Sequence, residues 1–401
     1  MPETDVVESV GDAVRSAMVR LDAAAELGAV VARRDDAALA EAAEFDAGSR
    51  HAPLAGVLFT IKDWIDVVGM ACEGESDHRT GRLPMRDATA VARLRAAGAI
   101  VIAKTQPGAN HPIHGRCLHP LDRDRTPGGS SSGEAALIAV GASKLGLGSD
   151  SGGSIRLPAA WCGVAGLKPS FGLVPNTGHF PRVGAHSDGR TVIGPLALHV
   201  RDLISTLNVI AGPDGVDAGC VPVSLGDPSA VRPAGLRIAL LEGDSSWRPA
   251  PSTLAAVHRA VDILTDLGAL VIDVPLPTHL DESLDITQRY WRRGSLSGAD
   301  ADRQLTDWDR FASLFARAAS HFDVVVGPVV ADVAPLDRPL SGEDYVFTLP
   351  WSLTGWPAVS VPAGKDPETR MPLAVQVAAP RWNDHVVLAV ANWLEEAFAR
   401  Q

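Results

Sequence analysis

Two loops rich in serine and glycine constrain the fold of this 401-residue chain more than any other feature. Residues 127–133 read Pro-Gly-Gly-Ser-Ser-Ser-Gly, and residues 150–156 read Asp-Ser-Gly-Gly-Ser-Ile-Arg. Flexible linkers have a similar composition, but they do not alternate with apolar segments as these loops do. We therefore predict two ordered loops that flank one short helix and one short strand, so that hydroxyl groups from both loops lie side by side.

The residue types in these loops suit covalent catalysis. Glycine lets a backbone approach a ligand closely, and a serine hydroxyl can act as a nucleophile or carry a proton. Residues 129–133 also match the Gly-x-Ser-x-Gly nucleophile elbow, but a polar loop precedes them where that motif requires a strand. Lys144 does not complete a phosphate-binding loop, and Ser151 stands where a dinucleotide loop needs its third glycine. We therefore expect no nucleotide cofactor.

The composition argues against several functional classes. A formal net charge of −12 disfavours a general nucleic-acid surface. No apolar run approaches the roughly 18 residues of a membrane span, and the acidic N-terminus lacks the basic and apolar regions of a signal peptide. The cysteines are far apart and predict neither a disulfide framework nor a zinc site: Cys72, Cys117, Cys162 and Cys220. We expect a cytoplasmic protein with no nucleic-acid partner and no membrane anchor.

Predicted strands and helices alternate along the chain, which indicates an α/β fold. Residues 5–50 are expected to form two helices, the second over 37–45 with Asp35 and Asp36 as its N-terminal cap. The predicted strands are residues 57–63, 99–104, 236–241, 270–274, 323–327, 358–361 and 373–377. The predicted helices beyond residue 50 are 87–97, 201–211, 253–268, a helical region at 276–321, and 384–399.

Lys62 ends the first predicted strand in an apolar context. Its ammonium could reach solvent or pair with Asp63 or Asp66. Alternatively, burial lowers its pKa and leaves a neutral amine that can accept a proton. The local sequence leaves both interpretations open.

Residues 110–120 contain several side chains of metal-ligand type: His111, His114, Cys117 and His119. Pro112 and Pro120 exclude a helix, and no acidic residue accompanies the group in a helical frame. We expect a loop with local hydrogen bonds at the rim of a pocket rather than a metal site.

Together these segments resemble the amidase signature family. The resemblance rests on Ile-Lys-Asp around Lys62, on the two serine loops at the family's spacing, and on Cys-Gly-Val-Ala-Gly-Leu-Lys-Pro after them. It extends to residues 56–66 and 87–105 and to Leu-Thr-Gly-Trp-Pro-Ala at 353–358, so it covers most of the chain. Residues 133–138, Gly-Glu-Ala-Ala-Leu-Ile, are similar to the branch that resembles fatty acid amide hydrolase.

The resemblance implies one large domain with a central mixed β-sheet covered by helices on both faces. Residues 1–50 would be helices packed on the body, and residues 51–401 would be the amidase signature domain. Within that domain we expect a catalytic core at about 51–212, a variable substrate-shaping region at about 213–350, and closing strands and a helix at 351–401.

The resemblance also implies a Ser-cisSer-Lys triad. Ser154 would be the nucleophile, Ser130 the bridging serine that follows a cis peptide bond, and Lys62 the base. The backbone N–H groups of the second loop would form the oxyanion hole: Ser151, Gly152, Gly153 and Ser154. The supporting polar residues would be Ser131, Asp150 and Arg156, and no cofactor or metal is implied. Two positions depart from the family pattern: Trp64 stands where asparagine is common, and Ser132 replaces a common glycine.

The implied activity is hydrolysis of a small-molecule linear amide to an acid and an amine or ammonia through an acyl-serine. A homodimer is the default expectation for such enzymes. One alternative is an acyl or amido transferase, including a glutamine-hydrolysing subunit of an amidotransferase. Another is an inactive amidase-like binding protein. A Ser-His-Asp hydrolase is a further alternative, in which a histidine such as His179 or His186 is essential.

Overall fold

Eleven strands form one mixed β-sheet in the computed structural model, which describes residues 9–48, 52–74, 77–184, 188–274, 276–277 and 279–400. In chain order the strands are β1 (Val30–Arg33), β2 (Leu58–Lys62), β3 (Ile100–Thr105), β4 (Asn110–His111), β5 (Gly115–Arg116), β6 (Leu145–Asp150), β7 (Ala165–Lys168), β8 (Val192–Ala197), β9 (Arg237–Leu240), β10 (Leu270–Val271), β11 (Val324–Pro328), β12 (Ala358–Lys365) and β13 (Pro372–Ala378). β4 and β5 form a separate two-stranded ribbon.

The strand order across the large sheet is β1-β3-β2-β6-β8-β7-β12-β13-β11-β9-β10. β2 runs parallel to both β3 and β6, and β9 runs parallel to both β11 and β10. The other neighbours are antiparallel. The sheet is therefore mixed, as predicted.

The helices lie between these strands in the chain. They are α1 (Val10–Ala23), α2 (Asp35–Asp46), α3 (Thr89–Ala96), α4 (Ser132–Ala139), α5 (Arg156–Cys162), α6 (Val200–Ile210), α7 (Pro251–Asp266), α8 (Leu280–Trp291), α9 (Gly298–Ala318), α10 (Leu349–Leu353) and α11 (Asp384–Phe398). Among the described residues, no helix combines the length and the apolar character that crossing a bilayer requires.

Helices cover both faces of the sheet. Alternate residues of a strand point to opposite faces, so Val359 and Val361 of β12 join the core beneath α3, α6, α7 and α11. Ala358 points the other way, toward the cluster of α8, α9 and α10. On β3, Ile100 and Ile102 pack against α1 and α2. These clusters confirm the predicted α/β architecture.

The N-terminal segment corrects two predictions. Asp35 and Asp36 were expected to cap a helix that begins at residue 37, but α2 begins at Asp35 after Arg34 and has no side-chain cap. The two carboxylates instead lie in the first turn, where they suit the positive end of the helix dipole. The segment also contains β1, which pairs antiparallel with β3, so it contributes a strand to the sheet as well as helices.

The carboxyl ends of two adjacent parallel strands position the serine loops. β2 ends at Lys62, and its parallel neighbour β6 ends at Asp150. The first loop leads into α4, and the second leads from β6 into α5. Because parallel neighbours bring their carboxyl ends to one edge, Lys62 and both loops meet there.

Candidate active site

Lys62 lies in a buried polar cluster. Its side chain is fully buried, and Nζ donates to Oγ of Ser130 at 2.6 Å and to Oγ of Ser149 at 3.2 Å. Nζ also lies 3.9 Å from the centroid of the Trp64 ring. The interpretation in which the Lys62 ammonium reaches solvent is therefore wrong.

The two aspartates considered as partners of Lys62 bind other cations. Nζ of Lys104 lies 3.1 Å from a carboxylate oxygen of Asp63. Arg82 donates to both carboxylate oxygens of Asp66, at 2.6 and 2.9 Å. Both carboxylates therefore have a cationic partner of their own, whereas Lys62 contacts serine hydroxyls.

Hydrogen bonds join the two serine loops. The N–H of Ser131 donates to the carbonyl oxygen of Ser154 at 3.0 Å. The Ser131 hydroxyl also bridges the backbone of Ser149, donating to its carbonyl and accepting from its N–H, each at 3.4 Å. The peptide bond between Gly129 and Ser130 is cis. Ser130 and Ser154 are both half-buried and lie on loops in direct contact.

Asp150 organises the second loop from within. Its carboxylate accepts the backbone N–H of Gly153 at 2.8 Å and of Ile155 at 3.2 Å. Arg156 donates to both carboxylate oxygens at 3.0 Å, and both side chains are fully buried. Burial acts to raise the pKa of Asp150, but Arg156, Lys168 and the backbone hydrogen bond from Ile155 together lower that pKa. The ionised pair therefore fixes the loop that carries the candidate nucleophile.

Arg156 uses all five of its N–H donors inside the protein. Nη1 donates to the carbonyl of Thr348 and to Oε1 of Gln376, both at 2.9 Å. Nη2 donates to Oγ of Ser352 at 2.9 Å, in addition to its bond with Asp150. Arg156 thus supports the loop and has no spare donor for a ligand.

A segment late in the chain holds both serine loops. The Tyr345 hydroxyl donates to the carbonyl of Gly129 at 2.9 Å. Oγ1 of Thr348 donates to the carbonyl of Gly152 at 2.5 Å. Neither residue was predicted from the sequence, because single polar side chains in a region without a recognised motif give no local signal.

The structure brings every predicted site residue to this edge of the sheet: Lys62, Ser130, Ser131, Asp150, Ser151, Gly152, Gly153, Ser154 and Arg156. Five further residues that contact these loops or Lys62, or lie behind them, were not predicted: Glu134, Ser149, Arg190, Tyr345 and Thr348. Of these, Ser149 could have been found, since it directly precedes the second motif at the end of a strand.

Glu134 is a fully buried carboxyl behind the first loop. The hydroxyls of Thr60 and Thr105 donate to its two oxygens at 2.5 and 2.7 Å. A Cβ at Gly146 would lie 2.0 Å from one of these oxygens, so a glycine is required there. Burial raises the pKa of Glu134 to about 8, although the hydrogen bonds from the two hydroxyls act in the opposite direction.

Replacing Glu134 with glutamine is expected to stabilise the chain increasingly as the pH rises from 5 to 8. The unfolded carboxyl ionises near 4.5, whereas the folded carboxyl keeps its proton to about pH 8. The folded state then binds more protons, so wild-type stability falls across this window, and glutamine removes that loss. Urea unfolding should show a stability difference that grows by about 3 kcal/mol from pH 5 to 8.

The matched control for this measurement is Glu396→Gln on the exposed face of α11. It removes an ionisable carboxyl without changing a buried site, so its stability difference should stay nearly constant between pH 5 and 8. A flat difference for Glu134→Gln as well would contradict a protonated carboxyl at position 134.

The histidine-rich loop forms local hydrogen bonds. Nδ1 of His111 accepts the backbone N–H of Ile113 at 3.0 Å. Nδ1 of His119 accepts the N–H of Leu121 at 3.1 Å, and its Nε2 lies 3.0 Å from the carbonyl of Trp161. In the part of the chain that the structure describes, no group of three or more His, Cys, Asp or Glu side chains is arranged to hold a metal ion.

The geometry does not support the alternative of a Ser-His-Asp hydrolase with an essential histidine. Nδ1 of His179 lies 2.9 Å from the carbonyl of Pro181, and the His179 ring packs edge-on against Trp64. Burial lowers the pKa of His179 to about 4, although the Pro181 carbonyl acts in the opposite direction. His186 lies outside the described residues. His179 therefore pairs with a backbone carbonyl rather than with a catalytic serine.

Comparisons with known proteins agree with this geometry. The family model described as amidase matches residues 12–303 and 295–388. The chain belongs to the amidase family, a family of amide hydrolases and related enzymes.

Two relatives align over nearly the whole chain. A glutamyl-tRNA(Gln) amidotransferase subunit of Oleidesulfovibrio alaskensis (strain ATCC BAA-1058 / DSM 17464 / G20) is 30% identical over 97% of this chain and 94% of its own length. The amidase candidate AmiB2 of Mycobacterium bovis (strain ATCC BAA-935 / AF2122/97) is 33% identical over 89% of this chain and 85% of its own length.

Solved structures share the fold. An inhibitor-bound vestigial protein complex, described as revealing the origins of an s-triazine catabolic enzyme, contains a chain with a TM-score of 0.87 and 26% identity, covering 97% of this chain and 95% of that one. Fatty acid amide hydrolase also has a TM-score of 0.87, covering 97% and 82%. Its identity of 20% shows the common fold alone.

Proposed function

We propose that this chain hydrolyses a carboxylic amide through an acyl-serine, with Ser154 as nucleophile, Ser130 as proton-relaying serine and Lys62 as base. The contact that carries the proposal is the 2.6 Å hydrogen bond between Nζ of Lys62 and Oγ of Ser130. The bond from the Ser131 N–H to the Ser154 carbonyl holds the second loop beside this pair.

The proposed reaction moves protons between these three residues in linked transfers. Neutral Lys62 takes the hydroxyl proton of Ser130, which takes that of Ser154 as its oxygen attacks the amide carbon. Ser130 then delivers its proton to the leaving nitrogen and takes one back from the Lys62 ammonium, and the C–N bond breaks to give an amine or ammonia, an acyl-Ser154 and a neutral Lys62. Water attacks the acyl group by the reverse relay and releases the acid, so amide plus water gives acid plus amine.

The orientation of the second loop reduces the number of N–H groups that can form the proposed oxyanion hole. The carbonyl of Ser151 accepts Nε of Arg190, and a trans peptide points its N–H opposite to its carbonyl. The N–H of Gly152 therefore points away from Arg190. The N–H of Gly153 is already bound to Asp150. We assign the oxyanion to the N–H groups of Ser151, Gly152 and Ser154, each typically worth about 3 kcal/mol.

The experiment that tests this function is product analysis on a panel of small linear amides. The purified chain alone should release acid and amine in equal amounts, because water is the acyl acceptor. Hydroxylamine should divert part of the product to hydroxamate without increasing total turnover when deacylation is not rate-limiting. No release from any amide by the folded chain would contradict the proposal.

A second candidate function is glutamine hydrolysis within an amidotransferase. The similarity to the glutamyl-tRNA(Gln) amidotransferase subunit over 97% of this chain favours it. This function predicts that glutamine is hydrolysed and that added partner subunits raise the rate. Release of ammonia from simple amides but not from glutamine would argue against it. A homodimer and a cytoplasmic location stay predictions.

A further inference from the structure

Arg190 is completely buried beside the second serine loop, yet part of its guanidinium is unpaired among the described residues. Nε donates to the carbonyl of Ser151 at 2.5 Å, and Nη1 donates to Oγ1 of Thr287 at 3.1 Å. Nη2 has no hydrogen-bond acceptor in the part of the chain that the structure describes. The two N–H donors of Nη2 therefore lack a partner there, which is costly for a buried cation unless a ligand supplies an acceptor.

The unpaired donor lies against the loop of the candidate nucleophile. A Cβ built on Gly152 would lie 3.2 Å from Nη2, 3.2 Å from the Trp291 indole and 3.3 Å from Leu349. Gly152 is two residues before Ser154, so Nη2 is close to the place where the scissile amide must bind. Trp291, which lies close to the same position, is 43% exposed, so this side of the loop is near the protein surface.

The surroundings keep the guanidinium charged. Its central carbon lies 4.7 Å from the ring centroid of Tyr290 and 6.0 Å from that of Trp308, and both π faces favour a cation. Burial lowers the pKa of Arg190 to about 10, still well above neutral pH. The Tyr290 hydroxyl interacts with the Asp188 carboxylate, and burial together with that carboxylate raises the pKa of Tyr290.

The nearby carboxylates are committed to other groups. Asp150 binds Arg156 and the backbone of its own loop. Asp188 accepts the backbone N–H of Arg190 and the N–H and hydroxyl of Thr191. Arg156 uses all its donors, whereas Nη2 of Arg190 meets no acceptor within the described ranges.

We propose that Arg190 binds a carboxylate of the amide substrate, with Nη2 donating to a carboxylate oxygen close to the scissile carbonyl. This inference rests on the proposed function of the same site and names its substrate class. A guanidinium is the donor best suited to a carboxylate. The carboxylate belongs to either the acyl part or the amine part of the amide, and the chemistry of recognition is the same.

The test compares four amides in two matched pairs. Succinamate and butyramide differ by a carboxylate on the acyl side, and N-acetylglycinate and N-ethylacetamide differ by one on the amine side. Wild type should have the higher kcat/KM for the charged member of one pair, which identifies the side. Arg190→Gln should lower that preference about 100-fold, because a buried charged hydrogen bond is lost. Arg190→Lys, which keeps the charge, should recover part of it.

The control is Arg293→Gln, which removes an exposed guanidinium that also lies over Tyr290, at 4.0 Å. If only the general positive potential mattered, Arg293→Gln would also lower the preference for the charged amide. We expect no change in the ratio of kcat/KM between the charged and the neutral amide. An equal loss on charged and neutral amides in Arg190→Gln would show that Arg190 only positions the Ser151 carbonyl, and would overturn the proposal. A wild-type preference for both neutral amides would overturn it too.

A binding measurement separates this proposal from the proposed function. Calorimetry on Ser154→Ala should detect whichever charged amide is favoured, succinamate or N-acetylglycinate, and the double variant with Arg190→Gln should bind it about 100-fold more weakly. This result would support the carboxylate site even if no amide is turned over. Equal binding by the single and double variants, or no binding of either carboxylate, would refute the site even if neutral amides are hydrolysed.

Discussion

Replacing Ser154 with alanine is expected to lower kcat for amide hydrolysis by about 10⁴-fold or more, because no acyl-enzyme can form. The fold should survive. Ser154 is half-buried, and its hydrogen bond with the N–H of Ser131 in the first loop uses its carbonyl rather than its hydroxyl. The free energy of unfolding should stay within about 1 kcal/mol of wild type.

A fluorophosphonate probe supplies the decisive measurement for Ser154. Intact mass should show one adduct on wild type, peptide mapping should place it on Ser154, and Ser154→Ala should show none. Ser132→Ala is the matched control, since the Ser132 hydroxyl is buried and donates to the carbonyl of Gly128 at 2.5 Å. Ser132→Ala should keep the adduct. An adduct that persists in Ser154→Ala would assign the nucleophile elsewhere.

The fold could be predicted where the residue pattern is local and strong. β2 and β3 are short apolar runs bounded by turn residues, and α7 and α11 have a clear amphipathic period. α5 was missed because a proline, Pro158, argues against a helix in the sequence and because all its residues are buried, so no polar face sets a helical period. β1 was missed because four residues at a sheet edge, pairing only with a strand about 70 positions later, give too little pattern.

The candidate site could be predicted where its residues belong to contiguous motifs. Ser130 and Ser154 stand in two recognisable loops, and Lys62 stands at a strand end. Thr348 and Arg190 reach the same loops from distant parts of the chain, and nothing near them in sequence indicates it. The domain division stays a prediction, but Tyr345 and Thr348 lie within the region expected to shape the substrate site and together contact both serine loops.

Replacing Lys62 with methionine is expected to lower kcat/KM about 10³-fold and to slow fluorophosphonate labelling of Ser154 by a similar factor. Methionine fills the buried space without an amine, so Ser130 loses the base that its 2.6 Å hydrogen bond provides. The Lys62 side chain is fully buried and its Nζ lies 3.9 Å from the centroid of the Trp64 ring, so methionine keeps the packing while removing the amine. The rate of labelling by the probe, followed in samples quenched at successive times, measures this loss without a known substrate.

Lys168→Met is the matched control, because Lys168 is equally buried but its Nζ donates to the carbonyl of Pro169 at 3.0 Å rather than to a serine. It should label at close to the wild-type rate. The variant Lys62→Ala separates a structural role for Lys62 from a role as base. If Lys62 is the base, added methylamine should restore labelling of this variant, and the restored rate should rise with pH as more of the methylamine is unprotonated. Normal labelling in Lys62→Met, or equal loss in both buried-lysine variants, would remove Lys62 from the proton relay. The contact with Ser130 would then reflect packing, and Ser154 would need another base at this edge of the sheet.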